Sequence, residues 1–115
     1  MAKTFEELTL WQDSKSLVVE IYKLTANIKD YGFKDQIQRA AVSIMNNIAE
    51  GFESGSDIMF VKYLNTAKGS AGEVRSMLYL MIELKYADED NAKKIIDSLK
   101  IISSQIYKLI SYLKK

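Results

Sequence analysis

The stretch Arg39-Ala-Ala-Val-Ser-Ile-Met-Asn-Asn-Ile-Ala-Glu-Gly51 decides how this chain is read. Ala40, Ala41, Ile44 and Ile48 recur at the spacing that lines one face of an α-helix, continuing a stripe begun by Phe33 and Ile37. Small and polar residues fill positions where an isolated bundle would carry bulky apolar groups or plain charge. A second segment, Ala67-Lys-Gly-Ser-Ala-Gly-Glu73, repeats that habit. Both segments fit helices that approach something closely on two sides, their own core and an outside partner.

Working outward, three more amphipathic segments flank this one. Leu10, Ser14, Leu17, Ile21, Leu24 and Ile28 form one stripe, opened by Thr9-Leu-Trp-Gln12, a pattern in which Thr and Gln can cap a helix start reciprocally. Phe60, Leu64, Ala67, Ala71, Val74, Leu78 and Met81 form another, with Ser56 as its cap. Ala92, Ile95, Leu99, Ile102, Ile106, Leu109 and Leu113 form the last, after the cap and acidic first turn Asp88-Glu-Asp90. The turn residues Asp30-Tyr-Gly32 and Ser54-Gly-Ser56 separate segments. The spacing predicts helices over about 10–28, 34–52, 57–85 and 89–113. Short connections make sequential helices antiparallel neighbours. The fold class expected is all-α, an up-down-up-down four-helix bundle filling a single domain over 1–115.

Composition narrows function mostly by exclusion. The 115 residues are 48% hydrophobic and 27% charged, a globular balance, and proline is absent. Without cysteine there is no thiolate nucleophile or disulfide, and without histidine the usual general base and commonest metal ligand are missing. No P-loop, dinucleotide fingerprint or nucleophile–base pair is evident, and an enzyme built on Lys68 or Tyr63 has no supporting constellation. The chain is therefore expected to be non-enzymatic, without cofactor or metal. No apolar run approaches bilayer-spanning length and the start lacks a secretory pattern, so no membrane partner and a cytoplasmic location are expected. Residues 1–57 hold 6 Lys and Arg against 9 Asp and Glu (−3), while residues 58–115 hold 10 against 6 (+4).

Two outward surfaces stand out. Opposite the apolar seam of the third helix lie Asn65, Gly69, Gly72 and Ser76, flanked by Ile58 and Leu80. Glycine within a helix costs roughly 0.5–1 kcal/mol relative to alanine, so two on one face suggest close backbone approach by another copy. The alternative is a locally loosened helix. Arg39, Ser43, Asn46 and Glu50 run along the second helix away from its core stripe, with Asn47 at the boundary. They are either solvated or paired across a subunit interface. Together the two strips predict a homo-oligomer. On the fourth helix Lys93, Lys100, Lys108 and Lys115 share one side with Ser104 and Ser111, interrupted by Asp97. That row is either a solvated face or a surface for the phosphates of RNA or DNA. Trp11, Tyr22, Phe33 and Phe60 are assigned to the core or its margin.

The segments Leu10-Trp-Gln12, Gln38-Arg-Ala-Ala-Val-Ser-Ile44, Asn47-Ile-Ala-Glu-Gly51 and Ala67-Lys-Gly-Ser-Ala-Gly-Glu73 resemble, over nearly the whole chain, the bacterial 23S rRNA intervening sequence (S23) proteins. The resemblance implies an up-down bundle assembling into a homopentameric ring. It also implies kinship with the accessory protein of diversity-generating retroelements, hence nucleic acid and a second protein, a reverse transcriptase, as partners. The family motif falls on Arg39, Ser43, Asn47, Glu50, Gly51, Gly69, Ser70 and Glu73, as structural or interface residues.

Overall fold

Local capping sets where each helix begins. In the computed structural model, which describes residues 2–115, a short 3-10 turn at Phe5–Glu7 leads into α1 (Thr9–Thr25), α2 (Tyr31–Glu53), α3 (Asp57–Glu83) and α4 (Glu89–Leu113). Ser56 accepts from the Met59 amide at 3.3 Å and Asp88 from the Asn91 amide at 3.1 Å, so both expected caps hold α3 and α4. Three boundaries differ from the sequence reading, the first being that α1 stops at Thr25, three residues short of the expected 28. Asp30 accepts from the Phe33 amide at 3.2 Å, so Tyr31 and Gly32 form the first turn of α2 rather than a break before it. Thr9 is already helical and makes no side-chain cap, while the Gln12 amide donates instead to the Glu6 carbonyl at 2.7 Å. The helix start is thus tied to the preceding 3-10 turn, not to a capping box. At the far end of α3, Lys85 adopts a left-handed φ of 59° and turns the chain toward α4.

The helices pack in a ring: α1 on α2, α2 on α3, α3 on α4 and α4 back on α1, with no diagonal approach. That is the antiparallel up-down-up-down four-helix bundle, measuring 43 × 20 × 20 Å, with no strand among the described residues. Its core joins all four apolar stripes, including Leu17, Ile21, Ile37, Ile44, Ile48, Leu64, Leu78, Leu99, Ile102 and Ile106. Leu24, Phe33, Leu109 and Leu113 are only half-buried at the margin, and Thr25, Met77, Ile96 and Ile110 take inward places the stripe had not assigned. Tyr22, placed at the core margin by sequence, is exposed.

The most extensive contact joins α2 to α3, and the sparsest joins α1 to α4. Small residues explain the first. A Cβ on Gly51 would stand 2.7 Å from Phe60 Cδ1 and 2.8 Å from Tyr63 Cβ, so only glycine admits α3 this closely. Buried Ala40, Ala41, Ala67 and Ala71 keep the two axes near each other further along.

Candidate functional site

The α2–α3 contact carries polar chemistry as well as small residues. Ser43 and Ser70 hydroxyls lie 2.9 Å apart across the two helices, and the Asn47 amide donates to the Ser43 carbonyl at 2.8 Å and to its hydroxyl at 3.0 Å. Hydroxyl rotors and a short amide can satisfy one another here without water. Nearby, the Gln36 amide donates to the Glu73 carboxylate at 3.2 Å, again from α2 to α3. Ser43, Asn47, Ser70 and Glu73 therefore tie the chain to itself. Ser43 had been placed on the side turned away from the core. It is half-buried and faces α3, because the wheel position beside the apolar stripe is the one the close neighbour covers.

The remaining positions on the α2 strip face outward. Arg39 Nε pairs with Asp35 Oδ2 at 2.8 Å, one helical turn away, and both side chains are largely exposed. Such a pair is worth a few tenths of a kcal/mol and leaves the guanidinium available for other contacts. Asn46 and Glu50 are exposed. On α3, Asn65, Gly69 and Ser76 are exposed and Gly72 is half-buried. A Cβ placed on either Gly69 or Gly72 would meet nothing within 4 Å. Ile58 is 75% exposed and Leu80 49%, which puts apolar area at both ends of the strip.

The α4 lysines do not form one uniform row. Lys93 Nζ sits 3.0 Å from Glu89 Oε2. The hydrogen bond and charge of Glu89 hold the Lys93 ammonium above its ordinary pKa. Lys115 lies over the Tyr112 ring at 5.7 Å from its centroid. Lys100 and Lys108 are exposed, as is Asp97 between Lys93 and Lys100. A cation that sequence reasoning left out, Lys68 of α3, stands 5.8 Å from the Tyr107 ring centroid of α4. Only the helix register reveals that pairing, since 38 intervening residues separate the two in the chain. Among the described residues no group of three acidic side chains is placed to hold a metal ion, and no helix is long and apolar enough to cross a membrane.

Residues 6–108 match the family described as 23S rRNA-intervening sequence protein. The chain belongs to that family. A solved structure agrees with the geometry: a protein of unknown function of the S23 ribosomal protein family from Bacteroides thetaiotaomicron superposes with a TM-score of 0.83 at 27% identity. The match covers 89% of this chain and 98% of that one, so the two share the whole bundle. No curated protein matches the chain. Within the family's fold, Gly51 and the Ser43–Asn47–Ser70 group set how closely α2 and α3 approach. Gly69 and Gly72 have no such duty inside the chain.

Proposed function

We propose that this chain is a self-assembling, non-enzymatic helical bundle of the cytoplasm, and that copies meet through the outer faces of α2 and α3. One observation carries the reading. Two glycines in the middle of α3 face open space, each at a cost of roughly 0.5–1 kcal/mol to the helix, without serving any contact within the chain. A second copy brought against Asn65, Gly69, Gly72 and Ser76 would use that space, with Ile58 and Leu80 covered and Arg39, Asn46 and Glu50 supplying polar contacts at the edge. A homopentamer is the form implied by the resemblance to the S23 proteins. In the assembled particle, the lysines of α4 would repeat around the ring and offer phosphates of RNA or DNA a surface strengthened by avidity.

Light scattering behind size exclusion tests the assembly directly. The wild-type chain should elute as a multiple of 13.1 kDa at micromolar concentration, and Gly69→Leu with Gly72→Leu should yield the monomer. A wild-type monomer would end this reading. For the polyanion surface, affinity for generic RNA should fall steeply as salt is added, and Lys100→Glu with Lys108→Glu should weaken it further. The Lys93–Glu89 pair and the exposed Asp97 favour a second reading, a scaffold that recruits another protein and no nucleic acid. Absence of RNA and DNA binding even at low salt would select it.

A further inference from the structure

The seam between α3 and α4 combines features that neither helix offers alone. Lys68 lies over Tyr107, and the pair marks the antiparallel register of the two helices. Two turns onward in α3 is Arg75, and two turns back from Tyr107 in α4 is Lys100, so these cations stand level with each other. One turn further along α3 stands Tyr79. Tyr79 is 52% exposed and Tyr107 61%, so neither ring is used up by the core. Cations and aromatic faces thus line the seam over about 16 Å from Lys68 to Tyr79 at the rise of an α-helix.

Resting on the polyanion reading above, we propose that this seam binds single-stranded nucleic acid, with Tyr79 and Tyr107 stacking on bases and Lys68, Arg75 and Lys100 holding the backbone. Cations alone fit any polyphosphate, whereas exposed rings beside them reward unpaired bases, whose faces a duplex keeps stacked on one another. Each base offers a flat π-face, so recognition by stacking is tolerant of sequence. A protein helix would instead need apolar contacts joining the two rings, and what stands between them is Arg75, Lys100 and the exposed Ser104.

Fluorescence anisotropy on the full chain provides the test, using labelled oligouridylate, oligothymidylate and an RNA duplex of equal length at low salt. Both single strands should bind more tightly than the duplex. Tyr79→Leu with Tyr107→Leu should weaken the single strands about tenfold and the duplex hardly at all. Tyr79→Phe with Tyr107→Phe, which keeps the rings, should bind as the wild type does. Lys68→Gln with Arg75→Gln should weaken all three and flatten their salt dependence. Circular dichroism on each variant separates loss of binding from loss of fold. Equal binding of single strands and duplex, unmoved by the Tyr→Leu pair, would overturn this inference and leave a generic polyanion surface standing. No binding by any oligonucleotide would overturn both.

Discussion

Gly51 and the Gly69/Gly72 pair are the same residue type in the same kind of helix, under opposite demands. Gly51 is buried where a methyl group would collide with Phe60 and with the Cβ of Tyr63. Gly69 and Gly72 lie on the opposite side of α3 from its core, where a methyl group would meet nothing. A glycine demanded by packing and a glycine left open look alike in the chain, and only the neighbour distinguishes them. The contrast also divides the family motif. Gly51, Ser43, Asn47 and Ser70 serve the chain's own α2–α3 contact, whereas Gly69 makes no contact of its own to explain it.

The largest effect should come from Gly51→Ala. Overpacking at a site walled by a ring and a Cβ should lower unfolding free energy by about 1–3 kcal/mol in denaturant titration, even after the helix-propensity gain of alanine. A neutral result would break the comparison, because α3 would then be free to yield. Next, Gly69→Ala combined with Gly72→Ala should stabilise the dilute chain by about 1–2 kcal/mol, from roughly 0.5–1 kcal/mol per position. If the outer strip is an assembly face, that gain should shrink as protein concentration rises. A loss at high dilution would mean that the glycines serve the single chain after all.

Ser70→Ala sharpens the inner side of the contrast. It removes one of the partners of Ser43 while Asn47 still donates to that hydroxyl, so a loss of about 1 kcal/mol is expected by thermal or chemical unfolding. The smallest effect lies away from both glycine regions. Tyr86 donates to Asp30 Oδ2 at 2.9 Å, joining the α3–α4 and α1–α2 turns, and that hydrogen bond raises the Tyr86 pKa above 10.0. The raised value favours the neutral phenol in the fold, so its contribution is complete below pH 10 and is lost as pH climbs through the folded-state pKa. Tyr86→Phe should therefore lower stability slightly at neutral pH, and the difference from wild type should vanish in strong alkali.

Much of this was legible in the residues. The stripes of α2, α3 and α4 were read almost entire from their spacing, and Ser56 and Asp88 cap where their side chains suggested. Gly51 was not read as a core position: it entered only through the family motif, as a structural or interface residue, and its burial against Phe60 and Tyr63 came from the packing. What escaped were pairs set by register. Ser43 was placed outside because a wheel gives the direction of a side chain and not the distance to the next helix. Lys68 and Tyr107 meet only once α3 and α4 are aligned.

The amino-acid order by itself determined four helices, their inward faces, most of their ends and membership of a bundle family, because helix period and capping are local properties of the chain. Tertiary structure alone decided which small residues are compelled and which are free, and which cations stand beside which rings. Those facts depend on the separation and alignment of two helices, quantities that arise from the sum of all core contacts and are written at no single position.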